Sequence, residues 1–320
     1  MKKIEPILDQ VEKKESMALF KQGPVDLEAW STLTNNKYSH NSLLSFQNDW
    51  ITFVTYCREV NVSPLPAAVT AVRRFIEHSA KTRKASSIKR YIITLSLMHR
   101  VHSLPDPTRN REVRFTLNRL YQEKSDDALQ ANAFMLSHLT DLANKFGSSE
   151  KLKDIRDLLI WMLCFEGMLK RSELAALPHD APRETEDGFV LAVDEHLIEL
   201  SEEAKEQVEK WQEATGITDG PLLRGINKHG HLSEAPMDHS SIYRVFRRAA
   251  TELGLEGRLT FSGQSPRVGA SQELAEAGKT IKEIQHQGRW KSPAMPAQYV
   301  GNKTASSEAM DKFKRKIEKD

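Results

Sequence analysis

The stretch richest in chemistry runs from Gln264 to Tyr299. Gly263 and Pro266 punctuate its approach, Val268, Leu274 and Ala275 recur at helical spacing, and Gly278 stops the pattern. That spacing predicts a helix with Arg267 near its start. A second short helix carries Ile281 and Ile284 and stops at Gly288. Trp290 and Tyr299 follow in a Pro-broken segment. An arginine offers a planar fork matched to phosphate oxygens. A phenol becomes a covalent nucleophile once its proton is removed. Together with an indole N–H, they form a set that can hold a phosphodiester and attack it. The same residues also fit a helical hairpin with a solvated arginine, a core tryptophan and a surface tyrosine.

Order and spacing favour the first reading. Gln264-Ser-Pro-Arg267, then Gly288-Arg-Trp290, then Tyr299 resembles the C-terminal signature of the tyrosine recombinases (phage integrases), close to the Cre-like branch. Trp290 lies twenty-three residues after Arg267, and Tyr299 nine after Trp290. Leu169-Lys170-Arg171-Ser172-Glu173-Leu174 resembles the family's first box, Leu-Arg-x-Ser-Glu-Leu, with Lys170 at the arginine position. Adjacent helical residues point about 100° apart, so Arg171 does not take that place without a shift. The resemblance implies a catalytic set of Tyr299, Arg267, Trp290, Gln264 and Lys170, with Glu173 structural. It also implies no cofactor. No metal-ligand cluster is visible either.

Two departures bear on turnover. Gln264 stands where the family has histidine, and an amide does no acid–base work. The family's general-acid lysine sits on a β-hairpin, and the run Val190 to Leu200 contains no lysine. His196 is the proton donor nearest to that place in the sequence.

The elements that must position this set come from composition and periodicity. The chain has 320 residues, 39% hydrophobic and 28% charged, enough for about two soluble domains. No apolar run reaches about 18 residues. Met1-Lys-Lys-Ile-Glu5 does not read as a signal peptide. Cys57 and Cys164 lie in apolar helical contexts and read as buried thiols. A cytoplasmic protein is expected, nucleoid-associated if bacterial.

The expected fold is mainly α with a small β-hairpin or sheet. Residues 1–37 read as an N-terminal arm with one short amphipathic piece, Val11 to Phe20. Residues 38–124 read as a four-helix bundle, which the resemblance makes a helical core-binding (SAM-like) DNA-binding domain. Residues 125–131 read as a linker, and 132–320 as the catalytic recombinase domain. Within it, Leu136–Phe146, Leu152–Glu166 and Glu202–Thr215 have helical patterns. Phe189–Val193 with His196–Leu200 reads as a hairpin. A tail helix, 308–317, is amphipathic. In the family such a helix docks on a neighbouring protomer, which implies a tetramer on paired sites.

Between Ala71 and Leu120, twelve Lys/Arg face three acids. Such a block calls for a polyanion, with double-stranded DNA first. Arg83, Lys84, Lys89, Arg90 and Arg100 are its candidate contacts. Ser240 and Arg244, on a helix that Asp238-His239-Ser240-Ser241 caps, are further ones. The expectation is a site-specific DNA recombinase, cleaving and rejoining strands through a 3′-phosphotyrosine with impaired catalysis. The alternative is an inactive, DNA-binding accessory or regulatory protein on the same fold.

Overall fold

A computed structural model describes residues 2–124, 130–186, 188–257 and 259–301. The chain divides into two compact units, Met1–Leu129 and Gln130–Asp320. The 125–129 part of the expected linker and the expected tail helix lie outside the described residues.

The first unit is helical: α1 (Gln10–Lys21), α2 (Leu27–Leu33), α3 (His40–Glu59), α4 (Val69–Ala80), α5 (Ala85–Val101) and α6 (Arg111–Glu123). Phe53, Phe75, Ile76, Leu95 and Val113 form its core. The reading of residues 1–37 as an arm is corrected here. Phe20 and Trp30 are essentially unexposed and meet edge to face at 5.0 Å. The indole Nε1 of Trp50 donates to the Phe20 carbonyl at 2.9 Å. Asp9 and Asp26 cap α1 and α2 by accepting from backbone N–H groups. The segment's average polarity hides two aromatic anchors, each burying a large apolar area.

In the second unit, α8 (Leu152–Glu166) is the axle, with every residue from Asp154 to Phe165 buried. Against it pack α7 (Leu136–Phe146), α10 (Glu202–Thr215) and α12 (Ser265–Glu276). Between α8 and α10 come the short α9 (Arg171–Ala176) and an antiparallel sheet of β1 (Pro182–Thr185), β2 (Gly188–Val193) and β3 (His196–Glu199). Val193 pairs with His196, so the β2–β3 turn is only Asp194-Glu195. A second small sheet, β4 (Arg224–Ile226) with β5 (Leu232–Pro236), precedes α11 (His239–Glu252). Arg248 on α11 reaches α8, its Nη1 2.8 Å from Asp157 Oδ2 and its Nη2 2.5 Å from Asp154 Oδ1. The chain continues through α12 to α13 (Ile281–Gln287) and α14 (Ala294–Tyr299). The architecture is therefore mainly α with small sheets.

Among the described residues no helix is long and apolar enough to cross a membrane. Nor do they hold a group of three or more His, Cys, Asp or Glu placed to bind a metal.

Candidate phosphodiester site

Arg267 lies in the first turn of α12 and is 4% exposed. Its Nη1 donates to the Met168 carbonyl and its Nη2 to the Gly288 carbonyl, the latter at 2.7 Å. Its guanidinium carbon lies 4.1 Å from the ring centroid of Trp290, a cation–π contact. Burial, reinforced by the charge of Arg289, pulls its pKa down to about 10. Glu173 pulls in the other direction.

The indole can lie there because residue 288 is glycine. A Cβ on Gly288 would stand 1.9 Å from Trp290 Cζ3. The indole also meets Tyr299, with centroids 5.8 Å apart and planes at 76°. Tyr299 closes α14 and is 5% exposed. Gln272 Nε2 donates to its backbone carbonyl at 3.0 Å. Burial raises the phenol pKa, while the charge of Arg267 opposes that rise. Arg267, Trp290 and Tyr299 thus form one contiguous group, and neither the arginine nor the tyrosine is a surface residue.

Lys170 is the N-cap of α9 and joins this group through Glu173. Its Nζ is 2.5 Å from Glu173 Oε1, and its backbone N–H donates to Oε2 at 2.9 Å. Arg289 Nη2 holds Oε2 from another side, at 2.9 Å. Burial alone would raise the Glu173 carboxyl. The hydrogen bonds from Lys170 and Arg289 outweigh it and hold the pKa at about 2. Two cations therefore share one carboxylate, and Arg267 is near enough to feel its charge, leaving an excess of positive charge suited to an anion. Gln264, the N-cap of α12, is exposed, and its side chain makes no capping bond. Arg171 lies close by, since a Cβ on Gly263 would be 2.5 Å from its Cδ. His196 on β3 lines a groove with Lys282, His286 and Arg289.

Of the candidate DNA contacts, Lys84 is the N-cap of α5, and Arg83, Lys84 and Lys89 are exposed. Arg90 is committed: its Nε lies 2.9 Å from both oxygens of the buried Asp49, and its Nη2 2.7 Å from Oδ1. Arg100 is half-buried in the last turn of α5. Ser240 and Arg244 are both exposed in the first turns of α11, and Arg244 donates to Ser241 Oγ at 2.8 Å. The residue that sequence reasoning passed over is Arg289, read only as the middle of Gly-Arg-Trp. Its signal was an arginine close in sequence to Trp290, in a chain lacking arginine at position 170.

Residues 132–305 match the phage integrase family. The chain is 25% identical over 302 residues to recombinase cre of Escherichia phage P1, covering 86% of this chain and 87% of that protein. It is 24% identical over 311 residues to the integrase/recombinase xerD homolog of Selenomonas ruminantium, covering 90% of each. The fold is similar to that of a lambda integrase dimer bound to a COC′ core site, with TM-score 0.62 and 15% identity, over 91% of this chain and 96% of that one. It is also similar to the XerH site-specific recombinase bound to a palindromic difH substrate, with TM-score 0.61 and 9% identity, over 96% and 89%. The chain belongs to the phage integrase family, the tyrosine recombinases.

Proposed function

We propose that the chain is a site-specific DNA recombinase whose chemistry runs more slowly than its scaffold permits. The observation carrying this reading is the group of Arg267, Trp290 and Tyr299. A buried guanidinium and the phenol that would attack both lie against one indole, which supports the reading. Tyr299 Oη gives up its proton to solvent and bonds to phosphorus, the bond from phosphorus to O5′ breaks, and O5′ takes a proton from solvent and leaves as a hydroxyl. The product is a 3′-phosphotyrosyl link, which a second strand's 5′-hydroxyl reverses. Arg267 and Lys170 stabilise charge on the non-bridging oxygens, and Trp290 and Gln264 add hydrogen-bond donors.

Duplex DNA is held through phosphate contacts that position it and specify little sequence. Arg83, Lys84, Lys89 and Arg100 serve in the first unit, and Ser240 and Arg244 in the second. Arg90, tied to Asp49, contributes less. Assembly is as a tetramer on paired sites through the tail, and the location is the DNA-containing compartment.

The second reading, a DNA-binding accessory protein without turnover, is favoured by one observation. The β2–β3 turn offers Asp194 and Glu195, two acceptors, where the leaving oxygen needs a donor. The deciding experiment traps protein–DNA adducts in detergent from fragmented DNA of the source organism. Adducts carrying a 3′-phosphotyrosine and absent in Tyr299→Phe support the enzyme. DNA binding with no adduct supports the accessory protein.

A further inference from the structure

We propose that Arg289 is the second guanidinium of the phosphate site, supplying from the Gly-Arg-Trp turn the arginine that position 170 lacks. This deepens the phosphate-binding reading above and rests on it. The starting point is the place it occupies. Lys170 Nζ takes one oxygen of Glu173 at 2.5 Å, and Arg289 Nη2 takes the other at 2.9 Å. The two cationic heads are thus one carboxylate apart. Arg289 also shares an acceptor with Arg267: both donate to the Met168 carbonyl, Arg289 at 3.2 Å, and Arg289 reaches the Gly167 carbonyl at 3.0 Å.

A purely structural role fits these contacts poorly. Glu173 already has Lys170 as its counter-charge, so a second cation adds net positive charge where water is scarce. The Arg289 side chain is only 6% exposed, and its buried Nε has no hydrogen-bond partner among the described residues. Buried donors without an acceptor are uncommon, and a charged one beside a candidate anion site is explained by a ligand atom that completes the set. A phosphate oxygen is such an acceptor: Nη1 is engaged at the Gln287 carbonyl and Nη2 at Gly167, Met168 and Glu173, which leaves the Nε–H of a permanently charged guanidinium to donate to it. The backbone points the same way. Arg289 has φ 55°, a left-handed conformation that favours glycine. Here an arginine holds it, with its side chain turned inward.

The test follows the arginine Nε–H resonances of the nitrogen-labelled full chain during titration with inorganic phosphate. Phosphate is expected to shift the Arg289 and Arg267 signals together. Arg289→Gly, which suits the backbone, should raise the half-saturating phosphate at Arg267 about tenfold, the loss of one charge-assisted contact. Lys170→Arg added to Arg289→Gly should return most of that loss, because it puts the guanidinium back on the other oxygen of Glu173. Arg289→Lys should not. A structural role predicts no such return. An Arg289 signal that stays still while Arg267 moves, or no response from either, overturns the proposal. So does an Arg289→Gly variant that is folded and titrates like the wild type. Should that variant not fold, the wild-type and Arg289→Lys titrations decide. None of these readouts needs strand cleavage. A chain that binds phosphate at both arginines but forms no adduct keeps this inference and loses the enzymatic reading.

Discussion

Gln264 presents an amide at the head of α12, where an imidazole would move protons. Gln264→His should therefore raise adduct formation by about tenfold or more, since general acid–base help contributes about 10²–10⁴. The gain is read as the rate of covalent complex on a 5′-bridging phosphorothiolate duplex. That leaving group needs no proton, so the missing hairpin lysine does not mask the effect. An unchanged rate would show that the amide is not limiting. Glu173 makes a different prediction. Its folded pKa of about 2 lies below its ordinary 4.5, so its stabilising effect is complete above pH 4.5 and fades as the pH falls toward 2. Glu173→Gln should therefore flatten the fall in Tm between about pH 5 and pH 3. A parallel curve would mean the carboxylate is not engaged as described. That Arg267, Trp290 and Tyr299 come together was legible because a motif preserves type and spacing. Arg289 was not, because nothing in a linear pattern shows a side chain turned inward at positive φ.

At the scale of elements, the close approach of α12 to the chain entering α7 deserves a direct probe. A Cβ on Gly269 would stand 1.8 Å from the Phe134 carbonyl oxygen. Gly269→Ala should cost about 1–3 kcal/mol, because backbone and not a flexible side chain must yield. Chemical denaturation measures this, and a loss within error would refute the contact. The ranges read for α7, α8 and α10 coincide with the structure, for physical reasons. Their apolar periodicity is strong, Ser201 caps α10 with its hydroxyl, and Gly216 closes it in the left-handed conformation. Elements that escaped reading lack those signals. Strand β1 is four residues with two exposed. Strands β4 and β5 are short and polar, and α2 is seven residues anchored mainly by Trp30 and Leu33. Their stability comes from packing across the unit, which local sequence does not display.

At the scale of the molecule, the charge distribution separates paired from available cations. Arg83, Lys84 and Lys89 are exposed around the start of α5, whereas Arg90 is bound to Asp49. Replacing those three by alanine should reduce the slope of log affinity for duplex DNA against log salt by about 2–3, at roughly 0.9 per phosphate contact. The same slope in the triple variant would remove this face from the DNA interface. The basic block was visible in the sequence as a count, but the pairing of Arg90 with a buried carboxylate was not, because Asp49 lies far away along the chain.

The burial of the indoles gives the molecule its own optical reporter. Trp30, Trp50, Trp161 and Trp211 are at most 1% exposed, while Trp290 is only partly buried, against Arg267. Collisional quenching by iodide should therefore draw mainly on one fluorophore out of the five. Iodide is itself an anion, so it should also be concentrated by the cations around Glu173. Emission lost to iodide should vanish in Trp290→Phe and be protected when duplex DNA is added. Quenching that survives the substitution would mean that another indole is reached by solvent. The intrinsic fluorescence of the unlabelled chain then reports occupancy of the proposed phosphate site.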